Sequence, residues 1–390
     1  MGKEKINLAL LWPKYSIAGT SLNDLVLRLD KDRFNVIFVY LSGYGVDKNL
    51  MEEAGYKVFY LSNIEMVKEF HFSILFRLVK ILKENNIDIL HCHRHKSSFY
   101  GALAGILAKT PVVLSHVHGL SRTKNLGRRI VNFFLFKRFN RIIGCAKSVQ
   151  DDVLRDNRFL SAEKVSVMEN SVDYERFTKV SISKADAKQM LGLPPDAFVF
   201  GTVGRLAPTK GLSYLIEAFS KVKEKIPSAH LVLFGDGACR AELEQHASNL
   251  SCRDLIHFLG HRDNIEQLIK GMDVFILSSI AEGMPRAILE AMAAGIPCIA
   301  TEAGGIPEII NSRDVGILVP PMDENALAEA MITLANTPKQ KLKDLIEKAR
   351  ERVRTIFDHD VVKKKLENTY EMEMNHYFKS DRFQKSGQQT

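Results

Sequence analysis

Residues 278–295 read SSIAEGMPRAILEAMAAG and carry the strongest structural signal in the chain. Pro285 suits the first position of a helix, and Gly295 suits the residue that follows its end. The residues between them are apolar nearly all round, with Glu290 as the main exception, so this helix is predicted to be buried. The apolar run Val274–Leu277 precedes the loop and has the composition of a buried strand. The stretch therefore predicts a strand, a loop and a helix of a parallel α/β sheet.

Two carboxylates in this stretch are candidate binding groups. Glu282 and Gly283 come just before the helix, where backbone N–H groups would face an anion. Glu290 lies more than one turn into the helix, and a buried carboxylate needs hydrogen-bond partners. Ribose hydroxyls would supply them. A structural ion pair between Glu290 and a neighbouring Lys or Arg is the alternative.

Two cations lie upstream, after the predicted strand Phe198–Val203. Arg205 follows Gly204, and Lys210 precedes Gly211 and a helix. Guanidinium, ammonium and a helix N-terminus are the groups that bind a diphosphate. The alternative is that both are ordinary solvated loop cations.

A second glycine-rich turn follows the next predicted strand, His230–Phe234. Gly235 and Gly237 would let the backbone approach a ligand closely. The third glycine of a dinucleotide-binding fingerprint is missing, because position 240 is Arg. The turn therefore argues against NAD.

Alternation of apolar runs and helical patterns extends along the whole chain and restarts near residue 180, which predicts two doubly wound parallel-sheet domains of the α/β class. The predicted organisation is a Rossmann-like domain over residues 1–180, a second over 181–357, a helix over 358–380 that packs back toward the first domain, and a flexible tail over 381–390. Ligands are expected at the carboxyl ends of the strands.

Together these motifs resemble the retaining GT-B glycosyltransferases of family 4. The family's paired glutamates, with seven residues between them in a context like EGxPxxxLEAMAxGxPV, match Glu282 and Glu290. Its Gly-Arg-Leu and Lys-Gly match residues 204–206 and 210–211, and its downstream glycine turns match residues 304–308 and 316–321. The resemblance covers residues 198–330. It implies a GT-B architecture, two Rossmann-like domains facing across a cleft.

The resemblance also implies roles. Arg205 and Lys210 would hold the diphosphate, Glu290 the ribose, and Glu282 a hydroxyl of the donor sugar as a catalytic group. The remaining implied donor-binding positions are Gly19, Gly235, Gly237, Gly283, Met284 and Pro285. His118, in His118-Gly119, would be catalytic beside the donor sugar. In the first half the match is weaker, since a single Gly19 replaces paired glycines. The run Asn170-Ser171-Val172-Asp173 resembles the family's Asn-Gly-Val-Asp, with Ser171 in place of the glycine.

Histidines cluster at two predicted strand ends: His91, His93, His95, His116 and His118. Alternate positions of a strand share a face, so a metal site is one interpretation. No acidic residue or cysteine completes a ligand set nearby, so we expect neutral imidazoles in a polar cleft and no metal. Two Asp-x-Asp triplets, 30–32 and 358–360, are predicted to be turn or helix-cap carboxylates.

Charge is unevenly distributed. Residues 1–185 hold 29 Lys/Arg against 18 Asp/Glu, and residues 89–150 hold 11 Lys/Arg and no carboxylate. Seven of these basic residues alternate with aromatic and aliphatic residues and are predicted to face an anionic membrane. They are Arg122, Lys124, Arg128, Arg129, Lys137, Arg138 and Arg141. The alternative is that the apolar residues pack into the core. The five scattered cysteines predict free thiols, and the chain shows no signal peptide or spanning stretch, which predicts a cytoplasmic protein, peripheral on the inner face of the cell membrane.

The function that the resemblance implies is a metal-independent, retaining glycosyltransferase that moves a sugar from a nucleotide diphosphate, with uridine as the base, to a glycan or lipid-linked acceptor in cell-surface polysaccharide or glycolipid synthesis. A sugar-nucleotide epimerase of the same fold is the alternative. A dehydrogenase lacks its fingerprint here, and no nucleic-acid recognition module is present, so nucleic acid is not expected as a partner.

Overall fold

The computed structural model describes residues 5–15, 21–46, 48–64, 69–120 and 126–386. The chain divides into a first unit, Met1–Glu169 with Val362–Thr390, and a second unit, Asn170–Val361. The sequence had placed these boundaries at 180 and 357. The difference has a local cause: Val172 pairs with Asp358 in a parallel bridge, and Ser171 Oγ lies 2.9 Å from His359 Nδ1. These contacts hold residues 170–180 and 358–361 to the second unit.

The first unit contains a seven-stranded parallel sheet. Its strands are β1 (Ile6–Lys14), β2 (Phe34–Ser42), β3 (Lys57–Tyr60), β4 (Ile89–His93), β5 (Val112–Val117), β6 (Arg141–Gly144) and β7 (Val165–Val167). Its helices before the chain crosses over are α1 (Ser21–Val26), α2 (Leu50–Glu53), α3 (Phe72–Glu84), α4 (Arg94–Ala108), α5 (Leu126–Leu135) and α6 (Lys147–Asp156). The strand order is β3-β2-β1-β4-β5-β6-β7. The order therefore reverses direction between β1 and β4.

The second unit repeats this plan with six parallel strands. They are β8 (Phe198–Val203), β9 (Ala229–Phe234), β10 (Ile256–Gly260), β11 (Val274–Leu277), β12 (Cys298–Thr301) and β13 (Ile317–Val319). The helices are α7 (Tyr174–Thr178), α8 (Lys184–Met190), α9 (Leu212–Lys225), α10 (Arg240–Ser248), α11 (Ile265–Leu268), α12 (Arg286–Ala294), α13 (Ile306–Ile309), α14 (Glu324–Ala335) and α15 (Lys339–Arg352). The order β10-β9-β8-β11-β12-β13 reverses between β8 and β11. Two Rossmann-like doubly wound sheets are thus confirmed.

The last helix, α16 (His359–Ser386), belongs to the first unit from Val362 onward. Its residues Val362, Leu366, Tyr370 and Met374 are buried in the same core as strands β1 and β2. Glu367 accepts a hydrogen bond from the Asp30 backbone N–H at 3.0 Å. The helix that the sequence placed over 358–380 continues to Ser386.

The strands are buried because both faces of each sheet are covered by helices. Leu8 to Leu11 of β1 and Phe275 and Ile276 of β11 have no exposed surface, which explains their continuous apolar runs. All five cysteines are free, as the sequence predicted. None of the helices in the described part of the chain combines the length and apolarity that crossing a membrane requires.

Candidate functional site

The predicted donor-binding residues of the second unit gather where its strand order reverses. The loop after β8 carries Arg205 and Lys210, and the loop after β11 carries Glu282. Parallel sheets bind ligands at such reversals, because the loops from the two neighbouring strands diverge and leave a crevice. The structure thus brings together residues that lie more than 70 positions apart in sequence.

An ion pair joins these two loops. Lys210 Nζ donates to Glu282 Oε1, and Ser279 Oγ donates to the same oxygen at 2.8 Å. The two charged side chains keep 21% and 14% of their surface exposed, so solvent reaches the pair in the recess between the two loops. A ligand anion can reach Lys210, and a ligand hydroxyl can reach Glu282.

Backbone contacts fix the two loops against each other. Ile280 N donates to Thr209 O at 2.8 Å, and Ser278 Oγ donates to Lys210 O at 3.0 Å. Gly211 adopts φ +58°, and a Cβ there would lie 2.3 Å from Ser278 O. Only glycine fits this position, which explains the Lys-Gly pair physically.

The N-terminus of α12 presents free donors. The Gly283 carbonyl accepts from Gly305 N at 2.8 Å, and the Met284 carbonyl accepts from Asn170 Nδ2 at 2.6 Å. Within the described chain, by contrast, no acceptor is bonded to the amide N–H of Gly283 or Met284. The carbonyl groups of Gly283 and Met284 are therefore hydrogen-bonded, whereas their amide groups are available to a ligand. Available amides at a helix start are the groups that bind an anion. The helix begins at Arg286, one residue later than predicted, so Pro285 is its N-cap rather than its first residue.

Arg205 supplies a second cation to this recess. Its side chain is exposed, and it lines a small cavity with Gly204, Lys210 and Ser278. No described carboxylate forms an ion pair with it. Its guanidinium is therefore available to phosphate oxygens.

The glycines of the turn after β9 have a structural role. A Cβ on Gly235, which has φ +118°, would lie 2.0 Å from Gly204 O, and a Cβ on Gly237 would lie 2.3 Å from Leu206 O. These glycines let the β9 turn pack directly on the Arg205 loop. Their contact with a ligand stays a prediction.

Glu290 is not enclosed as the sequence suggested. Arg286, Ala287 and Glu290 form a half-buried face of α12, and only the remaining faces are buried. Arg286 Nη2 lies 3.5 Å from Glu290 Oε1, so the ion pair weighed as an alternative is present. The expectation of a helix buried nearly all round is wrong on this face. A side chain that is 15% exposed can still accept from a ligand hydroxyl.

In the first unit, His118 follows β5 and lies in a stack of imidazoles. Its ring lies 4.2 Å from the His116 ring, and its Nε2 lies 3.1 Å from His93 Nδ1. Trp12 of β1 stacks on His93 with ring centroids 4.1 Å apart. Burial, with smaller effects of neighbouring charges, holds the pKa values of His91 and His93 well below their ordinary value. Burial lowers the pKa of His116 to about 3.

The predicted basic surface is divided by the structure. Arg128, Arg129, Lys137 and Arg138 are exposed on and after α5, beside the exposed apolar side chains Ile130, Phe133 and Phe134. Arg141 is a correction: its Nε donates to the buried Glu373 at 2.5 Å, so it stabilises the fold instead. Leu135, Phe136 and Phe139 pack inward, as the alternative proposed. Gly19, Arg122 and Lys124 lie outside the described residues.

Both Asp-x-Asp triplets form local caps. Asp30 Oδ1 accepts from Asp32 N, and Asp358 Oδ1 accepts from Asp360 N, each at 2.8 Å. Three residues that were given no role from the sequence support the Glu282 loop: Asn170, Thr209 and Ser279. Asn170 had a signal, because it opens the Asn-Ser-Val-Asp run that resembles the family.

Comparison with known proteins supplies independent information. The family model described as Glycosyl transferases group 1 matches residues 183–352, and that described as Glycosyltransferase Family 4 matches residues 18–176. The UDP-Gal:alpha-D-GlcNAc-diphosphoundecaprenol alpha-1,3-galactosyltransferase of Escherichia coli is 32% identical over 284 residues, 70% of this chain and 72% of that protein. The putative glycosyltransferase EpsF of Bacillus subtilis is 26% identical over 295 residues, 73% of this chain and 76% of that protein.

A solved structure agrees in fold. The crystal structure of Anabaena Alr3699/HepE in complex with UDP and glucose has a TM-score of 0.82 at 24% identity, and the match covers 94% of this chain and 99% of that one. At this identity the likeness speaks for the architecture alone.

Proposed function

This chain belongs to glycosyltransferase family 4, and we propose that it transfers a hexose from a uridine diphosphate sugar to a lipid-linked glycan, with retention of the anomeric configuration. The single observation that carries the donor assignment is the recess of the second unit. There the free amides of Gly283 and Met284 lie on the same loop as Glu282, which pairs with Lys210. Amides, an ammonium and a guanidinium in one recess suit a diphosphate.

Donor entry would exchange one ion pair for another. Lys210 turns from Glu282 to the phosphate oxygens, and Glu282 then accepts from a hydroxyl of the donor sugar. Ser279 Oγ, 2.8 Å from Glu282 Oε1, keeps that carboxylate in place during the exchange. Glu290 accepts from the ribose hydroxyls, and Arg286, its neighbour in the ion pair, orients it.

The leaving diphosphate gains negative charge as its bond to the sugar breaks. Lys210, Arg205 and the amides at the start of α12 stabilise that charge in place, which is electrostatic preorganisation. The same groups do the work for which other transferases use a divalent cation, so we propose that the transfer is metal-independent. His118 keeps the role that the resemblance implies, a contact with the donor sugar.

Retention of configuration rests on the family pattern around Glu282 and Glu290. Among the donor-binding residues of the second unit, Glu282 and Glu290 have binding roles in this proposal, and no further carboxylate is available as a nucleophile. Front-face attack, assisted by the leaving phosphate, is the route we propose. Proton NMR of the anomeric coupling in freshly formed product tests it, and an inverted product would refute the assignment.

The acceptor class follows from relatives and from the surface of the first unit. The Escherichia coli relative is named for a sugar diphosphoundecaprenol substrate. In this chain, Ile130 and Phe134 are 57% and 66% exposed beside the exposed cations Arg128, Arg129 and Arg138. Apolar side chains with basic neighbours suit the headgroup boundary of an anionic membrane. We propose that this surface, which we call the α5 surface, docks the enzyme near a lipid-linked acceptor.

The compartment that we propose is the cytoplasm, on the inner face of the cell membrane. The five free cysteines support this location, because thiols stay reduced there.

Docking is tested by co-sedimentation with anionic and neutral vesicles across a salt series. Binding is expected on anionic vesicles and should weaken with salt, because charges are screened beyond about 8 Å at physiological ionic strength. Equal binding to both vesicle types, or no binding at low salt, would contradict it and favour a soluble acceptor.

The activity itself is tested by measuring free nucleoside diphosphate with a panel of nucleotide sugars. Release from a UDP-hexose is expected to require an acceptor such as a sugar-diphosphopolyprenol. A sugar-nucleotide epimerase, the alternative, would interconvert nucleotide sugars without acceptor. Chromatography of the remaining donor separates the two outcomes.

A further inference from the structure

Three buried histidines of the first unit converge on one point. His91 and His93 lie on β4, and the register of the neighbouring strand pairs His93 with His116 of β5. One nitrogen from each of the three rings lies within 4.8 Å of the others. They lie where the strand order reverses between β1 and β4, at the carboxyl ends of the strands.

The nitrogens that meet there are unsatisfied. Among the residues that the structure describes, His91 Nε2, His93 Nε2 and both ring nitrogens of His116 are buried and have no hydrogen-bond partner. A buried polar atom without a partner destabilises the folded state, and here four such atoms belong to one cluster. A single bound cation would accept lone pairs from several of these nitrogens at once.

In two of the rings, the nitrogen that points away from the cluster has a partner that orients the other nitrogen for metal binding. His91 Nδ1 lies 2.8 Å from Tyr370 Oη of α16, and His93 Nδ1 lies 3.1 Å from His118 Nε2. When each Nδ1–H donates to its partner, the lone pair of Nε2 faces the cluster. Metal-binding histidines show this pattern, in which the second nitrogen donates to an outer partner that fixes the tautomer.

We propose that His91, His93 and His116 form a site for a transition-metal dication of the Zn²⁺ class, with a fourth position open to water or hydroxide. Three neutral imidazoles favour zinc, cobalt or nickel over the oxygen-seeking Mg²⁺. Zinc–nitrogen bonds of about 2.0–2.1 Å place ligand atoms roughly 3.3 Å apart, so small ring rotations from the present spacing would close the site. The site shares one residue with the proposed donor chemistry, because His118 is the outer partner of His93, whereas the diphosphate-binding groups Arg205 and Lys210 belong to the second unit.

The test uses the full chain, stripped with chelator and then titrated with Co²⁺ or Zn²⁺ alone. The expected result is one metal per chain, with the intense visible absorption of four-coordinate Co²⁺. An X-ray absorption spectrum at the zinc edge should show three imidazole ligands. Mg²⁺ should not compete. No uptake, or coordination dominated by carboxylate or thiolate ligands, would overturn the proposal.

Substitutions locate the site. His116→Phe keeps the ring stack on His118 and removes both free nitrogens, so zinc affinity should fall by more than about 100-fold. Tyr370→Phe removes only the outer partner and should weaken binding by about 10- to 100-fold. His257→Gln is the matched control, because His257 pairs with His230 in the second unit at 3.0 Å and should leave uptake unchanged. Uptake that survives His116→Phe in a folded protein would contradict the assignment, and the zinc-edge spectrum of the unaltered chain decides the question if that variant does not fold.

Discussion

The two units share one strand order but differ in what they place at its reversal. In the second unit the loops after β8 and β11 present charged, partly exposed side chains and free amides. In the first unit the ends of β1, β4 and β5 carry aromatic rings and buried imidazoles. Their surfaces differ too: the exposed large apolar side chains of the second unit are Met190 and Met322, whereas the exposed phenylalanines all belong to the first. The fold supplies the place, and loop chemistry decides what binds there.

The largest expected effect is a loss of stability in the first unit. It tests whether the charge of Arg141 stabilises the fold or belongs to the basic surface. Arg141→Gln leaves the carboxylate of Glu373, 4% exposed, buried without its cation. Breaking a buried pair costs about 3 kcal/mol, so the urea midpoint of the first unit should fall. The double variant Arg141→Gln/Glu373→Gln should recover most of the loss, because no unpaired charge remains. If Arg141→Gln left stability unchanged but weakened vesicle binding, Arg141 would instead belong to the membrane-binding surface.

The next effect tests the charged recess of the second unit. Lys210→Ala and Arg205→Ala should each lower kcat/KM for the donor by about 10- to 150-fold, since a hydrogen bond to a charged group contributes roughly 1.5–3 kcal/mol. Lys221→Ala is the matched control, because Lys221 pairs with Glu324 and Asn325 away from the recess. Unaltered kinetics in either recess variant would remove the diphosphate assignment.

A smaller effect tests the α5 surface. Arg138→Gln should weaken binding to anionic vesicles about fivefold, because one basic residue near such a surface contributes about 1 kcal/mol. Lys341→Gln, an exposed cation of the second unit, should change nothing. Equal losses in the two variants would mean that net charge, rather than this surface, governs binding.

The smallest expected effect is that of chelator on transfer. Excess EDTA should leave the rate unchanged, since Lys210, Arg205 and the amides of α12 meet the diphosphate charge. A loss of turnover that Mn²⁺ or Mg²⁺ restores would show that the recess needs a metal.

Local chemistry made much of the second unit predictable. Strand Phe198–Val203 and the left-handed Gly295 that ends α12 were both predicted, because apolar runs and helix caps act over a few residues. The capping position of Pro285 was missed by one residue, which is the usual uncertainty of helix ends.

Contacts between distant residues were not predictable. Arg141 meets Glu373 across 232 positions, and His93 meets His116 only through the register of β4 and β5. The Arg286–Glu290 pair was within reach, since residues four apart on a helix are neighbours. An ion pair of Glu290 with a neighbouring cation was accordingly weighed as the alternative to ribose binding.

Hydrogen exchange with and without UDP tests most directly whether the second unit holds the donor. The proposed recess predicts slower exchange at the Gly283 and Met284 amides, which have no acceptor in the described chain, and through residues 205–211. The Lys210→Ala variant should lose most of this protection at the same UDP concentration. Protection confined to residues 89–95 and 116–119 of the first unit, with none at the start of α12, would contradict it.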